Sequence, residues 1–121
     1  MAITVTNQAT PLGAKIVNDT SVGAAAVINV TGASGNLFYV EIDNTANSAV
    51  SYLKVYDTGS VTVGTTAPDW IFRADASANN KFVIPTDVSF ATALSYCCVT
   101  TGGTGGTTAP GSAVAVRFVT S

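Results

Sequence analysis

"NLFYVEID", residues 36 to 43, alternates apolar and polar side chains with a period of two, the spacing at which successive side chains of a strand point to opposite faces. Phe38, Val40 and Ile42 fall on one face and are expected in the core. Tyr39, Glu41 and Asp43 fall on the other, which is wet or lies in an interface. Downstream, 51 to 56 repeats the pattern, with Leu53 and Val55 opposed to Tyr52, Lys54 and Tyr56. The intervening Asn44-Thr45-Ala46-Asn47-Ser48 carries turn chemistry, so the two runs read as a hairpin.

Working outward, strands are expected at Ala25 to Val30, around Val61 to Val63, at Asp69 to Arg73, at Lys81 to Ile84, at Val88 to Cys98 and at Ala113 to Val119. Pro85 lacks an N–H, which favours a break or an edge position over a central strand. No amphipathic helix is visible. About seven or eight short strands at this spacing predict an all-β fold, an antiparallel β-sandwich that could have jelly-roll topology, or a small barrel. Residues 1 to 20, which include Thr10-Pro11-Leu12-Gly13, are less regular and read as an N-terminal arm or an edge strand, leaving 21 to 121 as one sandwich domain.

With 121 residues the chain has room for one core and no second domain. Hydrophobic residues make up 47% and charged residues only 10%, against about 25% in an ordinary soluble domain. Thr, Ser, Asn and Gly replace the missing charge. The five basic residues, Lys15, Lys54, Arg73, Lys81 and Arg117, are scattered, so no patch suited to displacing phosphate counterions can be built from neighbours, and no nucleic-acid partner is expected. A net charge of −2 supplies little of the self-repulsion that keeps small domains apart. No leader and no long apolar run appear, so the expectation is synthesis in a cytoplasm, with no membrane partner. The glycosylation triplets at Asn18 and Asn29 lack the secretion signal that would give them meaning.

Chemistry has few footholds. The absence of histidine removes Ser-His-Asp and Cys-His arrangements and most zinc sites. Cys97 and Cys98 are adjacent, so in a strand they point to opposite faces and cannot readily share a metal, and a disulfide between them would close a strained ring. Cys98 is expected in the core with Leu94 and Tyr96, and Cys97 outward or in a second apolar layer. Gly102-Gly103-Thr104-Gly105-Gly106 lacks the lysine and the helix of a phosphate loop and reads as a mobile hairpin loop. Asp75, Ser77, Asn79 and Asn80 mimic the first half of a calcium loop, but Asn80 stands where Gly is required and Thr86 where a bidentate Glu is required.

Glu41 and Asp43 share a strand face about 6.6 Å apart along the chain, near the spacing of a glycosidase carboxylate pair, yet such pairs on outward faces are usually solvated. Trp70, Tyr39, Tyr52, Tyr56 and Tyr96 could stack on sugars or serve packing and subunit contacts. No catalytic, cofactor-binding or metal-binding residue is assigned, and no cofactor is expected.

Three runs carry a resemblance: Tyr52-Leu53-Lys54-Val55-Tyr56, then Thr62-Val63-Gly64-Thr65-Thr66-Ala67-Pro68, then Val88-Ser89-Phe90-Ala91-Thr92-Ala93-Leu94-Ser95-Tyr96. Together they resemble a small β-module of tailed-phage virion structural proteins, in which "YLKLYN", "PTVGTxxP" and "GISFSTGLxY" precede a Gly/Thr/Asp-rich loop and a final strand. The resemblance covers about residues 36 to 121, with Ala93 in place of the usual Gly and Cys97-Cys98 after the tyrosine as departures. It implies a non-enzymatic virion component. Many such proteins look like capsid decoration or cement proteins, often homotrimers over local three-fold positions that stitch neighbouring major capsid protein subunits together at the virion surface. Others belong to tails or fibres, which makes a receptor- or glycan-binding module the alternative.

Overall fold

The computed structural model describes residues 15–121, apart from the side chains of Pro85 and Asp87. Residues 1–14, with Thr10-Pro11-Leu12-Gly13, lie outside the described residues. Seven strands follow in chain order: β1 (Lys15–Val22), β2 (Gly35–Asp43), β3 (Ser51–Asp57), β4 (Trp70–Ala74), β5 (Asn79–Phe90), β6 (Leu94–Val99) and β7 (Val114–Thr120). They form two antiparallel sheets, one ordered β1-β7-β2-β5 and the other β4-β3-β6. The sheets pack face to face as a β-sandwich, with no helix among the described residues. The expected boundary after residue 20 falls inside β1, whose residues 15–22 are an edge strand bonded to β7.

Between the sheets lie Leu37, Val40, Ile42, Leu53, Val55, Phe90, Leu94, Tyr96, Cys98, Val114, Val116 and Phe118, all essentially inaccessible to water. Each is contributed by an alternating strand position, except at one point in β2. Leu37 pairs with Thr120 and Tyr39 with Val119, so Phe38 is an extra residue in the ladder. Such a bulge flips the alternation. The core set of β2 is therefore Leu37, Val40 and Ile42, and Phe38 is only half-buried, contrary to the simple period-two reading.

A second correction concerns the expected hairpin. β2 and β3 lie in different sheets, and the chain between them crosses the end of the core. Asn44, wholly buried, explains the crossing. Its side-chain N–H groups donate to the carbonyls of Ala49 and Asp75, each at 3.0 Å, while its Oδ1 accepts from Asn47 Nδ2 at 2.9 Å and Ser51 Oγ at 3.1 Å. Asn47 in turn bonds both the carbonyl and the N–H of Ser112, at 3.0 and 2.7 Å. Three turns from both sheets are thus tied by a satisfied buried polar network, the kind that fixes a unique arrangement.

Three expected strands also differ. Residues 25 to 30 make only one bridge, Val27 with Tyr96, helped by Val30 N–H to the Leu94 carbonyl and Cys98 N–H to the Gly23 carbonyl. This irregular segment covers the outer edge of β6 and blunts it. Residues 61 to 63 belong to a turn in which the Thr65 and Thr66 amides both donate to the Thr62 carbonyl. The run from 88 to 98 is split into β5 and β6, because the Asp57 carboxylate accepts the amides of Ala91, Thr92 and Ala93 at 2.9, 2.8 and 3.2 Å and holds the chain in a turn. Pro85 sits in β5, an edge strand, where residues 84 to 87 fall outside the regular register with β2.

Candidate functional site

Each sheet has an outer face, and the chain treats them differently. On β3 and β6 the outer side chains are Tyr52, Lys54, Tyr56, Cys97 and Val99, and the loops roof them over. Ala24, Ala26, Val61 and Val63 close on Tyr56, Cys97 and Val99. The Gly/Thr-rich loop supplies the rest of the roof: Lys54 Nζ donates to the Gly105 carbonyl at 2.7 Å, and Gly102 lies against the Tyr52 ring. This loop was expected to hang free. It is pinned because a buried ammonium needs an acceptor, and a backbone without side chains can approach closely enough to give one. Gly106, with φ of 95°, shows the fit: a Cβ there would come within 2.5 Å of the Thr101 Cβ.

The two thiols divide as geometry dictates, Cys98 into the main core and Cys97 into the roofed layer, both buried and unbridged. Burial pushes the Cys97 thiol up and the Cys98 thiol up to about 12. Neither has the thiolate character that nucleophilic or redox chemistry requires. Cys97 Sγ lies 3.6 Å from the Tyr56 hydroxyl.

The calcium-like run is closed on itself. Asp75 N–H donates to Asn80 Oδ1 at 2.8 Å, Asn80 Nδ2 returns to Asp75 Oδ2 at 3.2 Å, and Arg73 pairs with Asp75 at 3.2 Å. Among the described residues no group of three or more His, Cys, Asp or Glu side chains is placed to hold a metal ion. Of the aromatics, Tyr56 and Tyr96 are buried, Tyr52 lies under the Gly loop, and Trp70 packs against the core. They do not gather into a platform. Tyr96 instead donates from the core to Asp19 Oδ2 at 2.8 Å.

The outer face of the β1-β7-β2-β5 sheet carries no such roof among the described residues. Registers place its side chains in rows that run across all four strands. Ile16, Val119, Tyr39 and Val83 form an apolar row, and Asn18, Arg117, Glu41 and Lys81 form the next, polar and charged. A third row holds Ala115, Asp43 and Asn79. Ile16 and Val83, at the two edges, are each 69% exposed, far more than a large apolar side chain needs to be. Around Ala115 the face dips into a depression of about 270 Å³ bordered by Asn18, Thr20, Glu41, Asp43 and Arg117.

Glu41 and Asp43 meet on this face as the alternation predicts. The Tyr39 hydroxyl donates to Glu41 Oε1 at 2.9 Å and holds that carboxyl below the usual carboxylate range. The Thr45 hydroxyl and amide do the same for Asp43. A glycosidase pair needs one carboxyl raised so that it can act as an acid, and here both are lowered. What the face offers instead is area: two apolar edges, alternating charge and hydrogen-bonding groups on a rigid sheet. Sequence reading placed Tyr39, Glu41 and Asp43 outward but missed Ile16, Val83, Arg117 and Val119 as their neighbours, since only the strand order brings them together.

Fold and face together define the class: an antiparallel β-sandwich with one sheet roofed over β3 and β6 and one sheet bare on its outer side among the described residues. No family model matches the chain, and no curated protein and no solved structure matches it.

Proposed function

We propose that this chain is a non-enzymatic structural protein of a tailed-phage virion, a capsid decoration protein that binds and stabilises the major capsid protein lattice. The observation that carries the proposal is the bare four-stranded face, an apolar row beside a charged row, on a domain whose buried polar side chains, among the described residues, all find hydrogen-bond partners within it. Such a surface suits a protein that works by burying area against neighbours. The resemblance in sequence supports the same reading. Its three runs form most of β3, the turn that roofs it, and the passage from the end of β5 through the Asp57-bound turn into β6, so they span both sheets.

In this role the protein would be made in the host cytoplasm, sit on the virion surface and act without cofactor. A partner that binds the assembled lattice and not the dissociated subunits lowers the free energy of the lattice by mass action. Quantitative mass spectrometry of purified particles tests the proposal: hundreds of copies per particle on the shell agree with it, and a handful at the tail overturn it. The role of the arm needs a truncation of residues 1–14 only, because β1 begins at Lys15 and its removal would strip an edge from the sheet. Particles decorated with that truncated protein should lose resistance to heat or osmotic shock while the domain stays folded.

A further inference from the structure

The rows on the bare face have an order that is informative beyond their composition. From β1 to β5 the apolar row reads Ile16, Val119, Tyr39, Val83, and the polar row reads Asn18, Arg117, Glu41, Lys81. A two-fold axis parallel to the strands, lying over the middle of the sheet, sets β1 of one copy over β5 of the other and β7 over β2. Position along the strands is unchanged by this rotation. Ile16 then faces Val83, Val119 faces Tyr39, and Arg117 faces Glu41, each contact occurring twice. No like charges are opposed, since Lys81 meets the uncharged Asn18 and Asp43 meets Ala115.

We propose that the bare face of the four-stranded sheet is a self-complementary contact on which a second copy of this chain docks, face to face, about that two-fold axis. Aligned sheets pack about 10 Å apart with a rotation near −30°, which inclines the axis by about 15° from the strands and shifts the edge pairs by only about 4 Å along them, within side-chain reach. Isologous contacts of this kind are self-limiting. Charge complementarity decides for a second copy over an arbitrary apolar partner, because Arg117 and Glu41 each find an opposite charge in the other chain. Net charge of −2 opposes the approach only weakly.

At the roughly 30–40 Å² per residue of ordinary interfaces, about twelve residues a side bury roughly 800 Å² in all. The contact is therefore weak in free solution and strengthened where a lattice holds copies close together at high effective concentration. The inference stands on the face alone and does not depend on the virion reading. It specifies pairing by two-folds, in contrast to the three-fold association that the sequence resemblance implies.

Sedimentation of the full chain from about 10 µM to about 1 mM tests it, with a weight-average mass expected to climb from one copy towards two. Ile16→Lys and Val83→Asp should each raise the dissociation constant about tenfold or more, and the double variant should return to within about threefold of the parent. Within one chain these residues stand on opposite edge strands, about 14 Å apart, so only docking couples them. Both are exposed edge positions, and circular dichroism confirms that the variants fold. A mass of one copy throughout, for the full chain and for a chain lacking residues 1–14, overturns the proposal. So does a three-copy assembly, a dimer indifferent to both substitutions, or a double variant whose losses add.

Discussion

Over β3 and β6 the outer face of the three-stranded sheet is finished by the chain itself, down to a lysine whose ammonium donates to a glycine carbonyl, with only Ile71 and Arg73 on β4 left exposed, whereas the outer face of the four-stranded sheet is open among the described residues, with Ile16 and Val83 each 69% exposed. Both faces begin from the same alternation. Tyr52, Lys54 and Tyr56 on β3 look no more apolar in sequence than Tyr39, Glu41 and Asp43 on β2. What separates them is the connections: the loops after β3 and β6 are long and rich in Gly and Thr, and they fold back over the three-stranded sheet. Fold stability should therefore be concentrated on the roofed side, and contact with other molecules on the bare side.

The largest test of that contrast is a matched pair of tyrosines. Tyr56→Ala should cost about 3–5 kcal/mol, since it empties a buried site, while Tyr39→Ala should cost less than about 1 kcal/mol, both read from urea denaturation. Similar losses at the two sites would erase the distinction.

Asp57 comes next, because its carboxylate links the two sheets by holding three amides of the β5–β6 turn. Asp57→Ala should cost about 2–3 kcal/mol through those unmet N–H groups. Burial pushes its carboxyl up, but the amides of Thr92, Ala91 and Ala93 outweigh that and hold it below the usual carboxylate range. A lowered folded-state value means that its stabilisation is complete above the unfolded value, about 3.9, and is lost as pH falls through the folded value. Stability should thus decline below about pH 4, and Asp57→Asn should flatten that decline.

Smaller effects sharpen the picture of the roof. Gly106→Ala places a Cβ against Thr101 at a φ of 95° and should cost about 1–2 kcal/mol, with faster amide exchange over residues 101 to 108. Lys54→Met should change stability by less than about 1 kcal/mol, because an apolar isostere removes the charge and its burial cost together. Exchange in the same loop should still quicken, since the bond to Gly105 is gone. A large loss for Lys54→Met would mean that the ammonium carries more of the roof than the geometry indicates.

Period-two alternation made most of the strands legible, and the adjacency of Cys97 and Cys98 was enough to divide them between two layers. The missing N–H of Pro85 was enough to put it at a break or an edge. What alternation could not supply was non-local. The Phe38 bulge is visible only against Thr120 and Val119, and the crossing from β2 to β3 depends on carbonyls of Ala49 and Asp75 that meet Asn44 only in the folded chain. The candidate face was half legible: Glu41 and Tyr39 were outward in sequence, but Ile16, Val119 and Val83 are drawn from three other strands. Strand order, not composition, makes them a row.

Hydroxyl-radical footprinting of the full chain across a concentration series puts the central contrast to the most direct test. Tyr39 and Val119 should lose reactivity as concentration rises while half-buried Tyr52, under its own roof, stays constant. Equal labelling of Tyr39 at every concentration, or protection that appears at Tyr52 instead, would contradict the assignment of the bare sheet as the association surface.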